Sequence, residues 1–167
     1  MSQRRIVLIV HDVRSAHNVG SLLRTADGLG IECVYFTGYT PYPEAKSDKR
    51  LPHISKKLND QISKTALGAE KSVAWHHKPE LADLIKLLKK QGYLIVALEQ
   101  TLCSKTLHDY QGKEDIALLV GSEIGGLNPK ILKDTDLQLE IPMLGKKESF
   151  NVSVAAAIAL YHLRHLS

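Results

Sequence analysis

The fold is decided by residues 141–166, which read IPMLGKKESFNVSVAAAIALYHLRHL. A buried strand is predicted over residues 137–141, and Pro142 ends it because proline has no N–H to donate to a neighbouring strand. A polar loop follows at residues 145–148, and the apolar-rich run 152–163 predicts a long helix.

Two polar side chains, Ser149 and Asn151, precede this helix where N-capping side chains belong. The start of a helix presents free N–H groups and the positive end of a dipole, and Lys146 and Lys147 stand beside it. This end of the helix could therefore hold an anionic or polar group. Local features alone favour an ordinary strand, loop and helix whose caps serve only stability.

Length and composition indicate one globular domain spanning residues 1–167. Hydrophobic residues make up 44% of the chain and charged residues 24%, which is ordinary for a protein with a buried core. The net charge of +4 and the pI of about 9.0 give a mild bias towards polyanions. Aromatic residues make up only 5%, which argues against a platform that stacks single-stranded nucleic acid.

The compartment is predicted from hydropathy and cysteine use. No apolar run is long enough to span a bilayer. The opening MSQRRIVLIVHDV is too short in its apolar part for a signal peptide and is read as a buried strand. Cys33 and Cys103 form neither a disulfide framework nor a metal-ligand spacing, so we expect reduced thiols, no metal and a cytoplasmic protein.

Strands alternate with helices along the chain. Strands are predicted over residues 5–10, 32–37, 72–75, 93–98, 116–120 and 137–141, and helices from about residue 18 to 28 or 30 and over residues 54–67, 79–90, 129–133 and 151–166. Residues 38–52, with three prolines, are expected to form an irregular loop. This alternation predicts an α/β fold with a mostly parallel sheet, helices on both faces and ligands at the carboxyl ends of the strands.

Residues 18–26, NVGSLLRTA, form the first notable stretch, called motif one below. Asn18 is placed to cap the helix, and Gly20 allows another backbone to approach. Arg24 is expected on a polar stripe with Ser21. A routine cap and a surface arginine are the alternative for this stretch alone.

Residues 118–127, LLVGSEIGGL, form motif two. Three glycines in a turn directly after a strand indicate close approach of a ligand to the backbone. The spacing differs from the dinucleotide fingerprint G-x-G-x-x-G, which argues against a nicotinamide oxidoreductase. Glu123 is either functional or a solvent-exposed loop acid.

Together with motif three, IPMLGKKESFNVSVAAAIAL at residues 141–160, these stretches resemble the SpoU (TrmH-type) methyltransferases of the SPOUT superfamily. The resemblance covers essentially the whole chain, and the ordered trio is far more specific than any one motif. Phe150 stands where leucine is usual. We expect a single methyltransferase domain over residues 1–167, without the accessory RNA-binding domain that many relatives carry.

The resemblance implies that the carboxyl-terminal part forms a deep trefoil knot whose loops bind S-adenosylmethionine. It also implies transfer of a methyl group to a ribose 2′-hydroxyl of tRNA or rRNA. By position, the cofactor contacts are expected at Leu98, Glu99, Gly121, Ile141, Met143, Phe150 and Asn151.

Catalytic roles are implied for Arg24, Asn18, Glu123, Ser149 and Asn151, with Arg24 positioning the hydroxyl. Relatives are homodimers packed through the knot region, so Arg24 is expected to face the partner's cofactor and helix 151–166 to lie at the interface. RNA contacts are expected from Arg24, Lys46, Lys49, Arg50, Lys146 and Lys147. A non-catalytic RNA-binding module is the rival, and the intact motif residues argue against it.

Overall fold

A computed structural model describes residues 4–165 and contains a seven-stranded sheet. The strands are β1 Ile6–His11, β2 Cys33–Thr37, β3 Trp75–His77, β4 Leu94–Leu98, β5 Lys105–Thr106, β6 Ile116–Val120 and β7 Leu137–Glu140. Their order in the sheet is β3-β2-β1-β6-β4-β7-β5, and every neighbouring pair is parallel. The predicted parallel sheet is confirmed, and all seven carboxyl ends share one edge.

Helices cover both faces of this sheet, as predicted. They are α1 Ala16–Gly28, α2 Pro52–Ala66, α3 Ala69–Ser72, α4 Leu81–Lys90, α5 Pro129–Leu132 and α6 Val152–His165. Alternate residues of β1 divide the core: Ile6 and Leu8 pack with α1, α2, α3 and α6, whereas Val7 and Ile9 pack with α4. Because the two central strands, β1 and β6, are covered on both faces, they read as continuous apolar runs.

One local prediction is wrong, and two short elements were not predicted. The strand predicted at residues 72–75 is wrong, because α3 occupies Ala69–Ser72 and the strand runs over Trp75–His77 at the sheet edge. β5, with two residues, and a 3-10 turn at Leu107–Asp109 were not predicted, since such short elements carry no periodicity. Leu166, the last residue of the predicted final helix, lies outside the described residues.

Gly20 brings α1 and α2 into close contact, as its position predicted. A Cβ at Gly20 would come within 3.0 Å of backbone atoms of Ile62 and Ala66 and of the Thr65 hydroxyl. The Thr65 hydroxyl also donates a hydrogen bond of 2.8 Å to the carbonyl of His17 in α1. The first turn of α1, which carries Asn18, is thereby fixed in position.

The structure also bears on membrane association. Within residues 4–165, no helix has both the length and the apolar character needed to cross a bilayer.

Candidate active site

Motifs two and three line a cavity of about 530 Å³ at the carboxyl edge of the sheet, and motif one is joined to its lining through Asn18. The cavity lies where β4, β6 and β7 end, and the loop before α6 closes it. A volume of this size is typical of sites for small ligands and cofactors. Most of the predicted cofactor contacts line it, namely Leu98, Glu99, Gly121, Ile141, Phe150 and Asn151, and so do Glu123 and Ser149.

Side chains from all three motifs form one hydrogen-bonded chain beside this cavity. The Asn18 amide donates to the Glu123 carboxylate at 2.8 Å, and the Asn151 amide donates to the Asn18 carbonyl oxygen at 3.2 Å. Glu123 and Asn151 lie 105 and 133 positions from Asn18 in the sequence, yet the three side chains are neighbours in the structure. This link brings together the asparagine and glutamate side chains that the sequence singled out.

The prediction that Asn18 caps α1 is wrong. Ser15 is the cap, and its hydroxyl accepts a hydrogen bond of 3.2 Å from the Asn18 backbone N–H. Asn18 lies inside the first turn, so its side chain is free to bridge Glu123 and Asn151. At α6 the capping prediction is confirmed for Asn151, whose side-chain oxygen accepts from the Ser153 N–H at 2.9 Å.

Glu123 joins motif two to the start of α1. Its carboxylate accepts hydrogen bonds from the backbone N–H groups of Arg14 at 3.2 Å and Ser15 at 3.4 Å, besides that from Asn18. Burial raises the pKa of Glu123, but these hydrogen bonds outweigh burial and the net pKa lies below the ordinary value. Glu123 is therefore ionised at neutral pH, and it lies beside the positive end of the α1 dipole.

Glu99 fixes the glycine turn of motif two, a role that the sequence did not reveal. Its two carboxylate oxygens accept from the backbone N–H groups of Leu127 at 2.8 Å and Gln100 at 3.1 Å. Gly126 has φ +60, and a Cβ there would collide with the same carboxylate. Glycine is required at this position both for the backbone conformation and for space.

The charged residues that line the cavity are all acidic. Glu140 and Glu148 line it together with Glu99 and Glu123, and within residues 4–165 no lysine or arginine does. A site of this kind favours a cationic ligand and disfavours a dinucleotide with its negative phosphates. The sequence analysis missed Glu140 and Glu148, although Glu140 ends β7 and could have been found from the rule that ligands bind at strand ends.

Two predicted site residues lie outside the cavity. Met143 is half-buried in the loop after β7 and does not line it. Arg24 is exposed on α1, and at 1.5 Å per residue it stands about 9 Å further along the helix axis than Asn18. In the described part of a single chain, Arg24 does not line this cavity.

The predicted RNA-contacting lysines, Lys46, Lys49, Lys146 and Lys147, are exposed. Arg50 differs from them, because its guanidinium is bound inside the loop that follows β2. It pairs with Asp48, donates to the carbonyl of Tyr42 at 2.9 Å and lies over the Tyr42 ring at 3.7 Å. The Tyr42 ring stacks in turn on His77 at 4.0 Å. The loop predicted as irregular is thus ordered by Arg50.

A parallel α/β sheet with a glycine-lined acidic cavity at its carboxyl edge is typical of the α/β domains that bind small ligands at the ends of their strands. The chain belongs to the SpoU rRNA Methylase family, whose model matches residues 5–161. This confirms the resemblance drawn from the three motifs.

Curated relatives and solved structures agree with this assignment. The chain is 31% identical over 164 residues to the 23S rRNA (guanosine-2'-O-)-methyltransferase RlmB of Neisseria meningitidis serogroup B, covering 98% of this chain and 60% of the relative. It is 30% identical over 166 residues to the 23S rRNA (guanosine(2553)-2'-O)-methyltransferase RlmP of Bacillus subtilis, covering 98% and 60%. The chain thus spans about 60% of the length of these relatives.

The fold is shared with solved methyltransferase structures. An AdoMet-bound rRNA methyltransferase from Sinorhizobium meliloti superposes with a TM-score of 0.81 at 21% identity, covering 98% of this chain and 57% of that one. A structure described as giving insight into 2-OH methylation of C/U34 on tRNA superposes with a TM-score of 0.74 at 22% identity. It covers 96% of this chain and 94% of that one, so its length is similar.

Proposed function

We propose that this chain is an S-adenosylmethionine-dependent methyltransferase that methylates a ribose 2′-hydroxyl of tRNA or rRNA. The observation that carries the proposal is the cavity lined by motifs two and three, to which motif one is joined by hydrogen bonds of Asn18 with Glu123 and with Asn151. Membership of the SpoU family and the 2′-O-methyltransferase names of the relatives support it.

The residues present suit the cofactor. Its sulfonium and ammonium groups are cationic, and the four glutamates around the cavity favour such charges. Backbone groups at Leu98, Gly121 and Ile141 lie at the ends of adjacent strands, where an adenosine moiety would find hydrogen-bonding partners. When bound, the cofactor supplies a methyl group on sulfur that leaves behind a neutral thioether.

On this proposal, the chain's own residues must orient the ribose hydroxyl and assist loss of its proton. We assign this task to Arg24 together with an RNA phosphate, because the planar guanidinium can donate hydrogen bonds that position and polarise the hydroxyl. Asn18, Glu123 and Asn151 hold the motif loops, and Ser149 contacts substrate at the cavity wall.

Arg24 would then serve the cavity of a second copy of the chain. An apolar stripe on α6 supports a homodimer: Val154 is 46% exposed, Ile158 39% and Tyr161 61%, at positions that share one helix face. The stripe begins one turn from Asn151, so a partner seated on it would lie beside the cavity. Burying the stripe would remove an apolar patch that a monomer exposes to water.

The trefoil knot is part of the proposal, and the path of residues 105–115 supports it. This segment runs from β5 at the sheet edge to the central strand β6, on the same face as α6. Leu107 shares the core of α6, and the rings of His108 and His162 lie 6.4 Å apart. Arg4 donates to the carbonyls of both Leu163 and Gly112. On this proposal, α6 is threaded between the sheet and this segment.

We also propose a cytoplasmic location for the protein. An RNA substrate supports it, as do two free cysteines, Cys33 and Cys103.

Two measurements test the proposed function. Calorimetry with S-adenosylmethionine should show one site per chain, and binding of NAD in its place would contradict the proposal. Transfer of tritiated methyl groups should then be assayed on total tRNA and on total rRNA from cells that lack the protein, followed by mapping of 2′-O-methyl sites. Cofactor binding without transfer to either RNA would favour the non-catalytic module.

A mixing experiment tests the shared site. Arg24→Ala and Asn151→Ala should each be inactive alone, since each removes one half of the site. In a mixed dimer, one cavity keeps its own Asn151 and receives the partner's Arg24, whereas the other cavity lacks both. Half of the dimers in an equal mixture are mixed, so mixing should restore up to about a quarter of the activity. No restoration, or a monomer by light scattering, would contradict the dimeric arrangement.

Arg24→Lys keeps the charge but loses the planar fork, and near-normal turnover would remove Arg24 from the mechanism.

A further inference from the structure

A second polar cluster lies at the same sheet edge, where β1 and β2 end. Asp12, directly after β1, has the left-handed value φ +55, which is uncommon outside glycine. Its carboxylate accepts a hydrogen bond of 3.1 Å from the Tyr39 N–H and lies 3.2 Å from His11 Nε2. The other ring nitrogen of His11 lies 2.9 Å from the Thr37 hydroxyl. The backbone that carries Tyr39 is therefore held rigidly.

Gly38 makes the same turn more constrained. It has φ +61, and a Cβ there would collide with the Asp12 carboxylate. The proposed methyl transfer uses neither His11 nor Asp12, so the chemistry at the cavity does not explain why this turn is built so tightly. Strained backbone held by its surroundings is frequent at ligand sites, and the side chains that this turn presents are therefore of interest.

The turn presents an exposed aromatic ring beside a guanidinium. Tyr39 is 55% exposed, and the Arg14 guanidinium carbon lies 5.9 Å from the centre of its ring. The Arg14 backbone N–H is bonded to Glu123, which lines the cavity. The pair is thus anchored to the cavity mouth. Lys46 and Lys49 are exposed further along the same loop.

We propose that Tyr39 and Arg14 form a subsite for an RNA nucleotide that flanks the methylated one. A base would stack on the Tyr39 ring, and Arg14 would contact its phosphate or stack on its other face. RNA is the occupant favoured by these residues, because an aromatic ring and an arginine plane are what unstacked bases pack against. The carboxylate of Asp12 does not oppose this, since both its oxygens face partners within the turn. The inference rests on the proposed function for its choice of ligand.

Gel shifts with total tRNA and with total rRNA fragments, both from cells that lack the protein, test the subsite. Tyr39→Ala should weaken binding of the preferred RNA by about 5- to 100-fold, as measured for single stacked bases elsewhere. Tyr39→Phe should retain most of the affinity because it keeps the ring. Arg14→Ala should weaken binding and lower the slope of log affinity against log salt by about one.

Lys90→Ala is the matched control, since it removes one exposed positive charge at the opposite edge of the sheet. It should leave RNA affinity within about twofold of the unaltered chain. Calorimetry with S-adenosylmethionine should give unchanged affinity for Tyr39→Ala and Arg14→Ala, which shows that the variants are folded. Should Tyr39→Ala not fold, Arg14→Ala carries the test, because the Arg14 side chain is not part of the turn.

The outcomes separate the two proposals. Affinity of Tyr39→Ala and Arg14→Ala within twofold of the unaltered chain would overturn the subsite, and so would failure of the unaltered chain to bind either RNA. Loss of RNA binding in these variants, in a protein that transfers no methyl group to any RNA, would support the subsite and overturn the proposed function.

Discussion

Gly20→Ala tests the contact that fixes the first motif. The new Cβ would lie 2.9 Å from the backbone nitrogen of Ala66, and also within 3.0 Å of the carbonyl oxygen of Ile62 and the hydroxyl of Thr65. Ordinary contact begins at 3.4 Å, so α2 would have to retreat by at least 0.5 Å at Ala66 and by more at Ile62. Thr65 can rotate away, but the backbone of a packed helix cannot move alone.

The expected loss of stability follows from two opposing effects. Overpacking of this kind costs about 3 kcal/mol when the obstructing atoms belong to backbone. Alanine is favoured over glycine inside a helix by about 1 kcal/mol, which offsets part of the loss. The net loss of about 2 kcal/mol should lower the Tm by about 4–8 °C in a chain of this size. Thermal unfolding followed by circular dichroism measures this directly.

Gly28→Ala supplies the matched control in the same helix. No atom lies within 4 Å of a Cβ at Gly28, so this variant should be as stable as the unaltered chain or up to about 1 kcal/mol more stable. A Tm for Gly20→Ala equal to that of Gly28→Ala would refute the argument that close backbone approach holds α1 on α2. Cofactor affinity should also fall in Gly20→Ala alone, because α1 carries Asn18.

Three further predictions concern single side chains. In Glu99→Gln the side chain has one acceptor oxygen and can accept from only one of the N–H groups of Leu127 and Gln100. The variant should lose about 1 kcal/mol of stability and bind S-adenosylmethionine several-fold more weakly by calorimetry. Unchanged affinity would refute the role of Glu99 in holding the glycine turn. Burial raises the pKa of the Cys33 thiol to about 11, whereas Cys103 is exposed. Iodoacetamide at pH 8 should therefore modify Cys103 alone, as measured by mass spectrometry. Modification of both cysteines in the folded chain would contradict this prediction. Burial lowers the pKa of His11 below 6.5 despite the neighbouring Asp12, so the unfolded chain takes up more protons than the folded chain as the pH drops through 6.5, and stability falls. His11→Gln should therefore flatten the decline in Tm between pH 7.5 and 5.5. An unaltered slope would exclude His11 as the source of the decline.

The long elements could be predicted from sequence because their patterns are strong. The apolar run 116–120 gave the bounds of β6 without error, and α4 shows one apolar face in the sequence and in the structure. The strand predicted at residues 72–75 is wrong because α3 is a single turn, stabilised by tertiary contacts such as the hydrogen bond of 2.6 Å from the Ser72 hydroxyl to the Asp27 carboxylate. Local propensity says little about elements this short.

The site was predictable in its residues but not in its connections. The family resemblance pointed to Leu98, Gly121 and Ile141, in agreement with the rule that ligands bind at strand ends, and these residues line one cavity. The sequence could not show that Asn18 bridges Glu123 and Asn151, because the identity of the cap at Ser15 decides which way Asn18 is used. The internal use of Arg50 was hidden for the same reason, since its partners depend on how the loop folds back.

The order of strands has a consequence for biosynthesis. β1 pairs with β6, so Ile6 lies opposite Ile116, and the middle of the sheet stays open until more than a hundred further residues have left the ribosome. Contacts this distant along the chain slow folding. A nascent chain that has completed α1 and β2 still exposes one flank of β1, which invites chaperones or wrong pairing until β6 arrives. Slowing translation between residues 38 and 115 should therefore lower the yield of soluble protein.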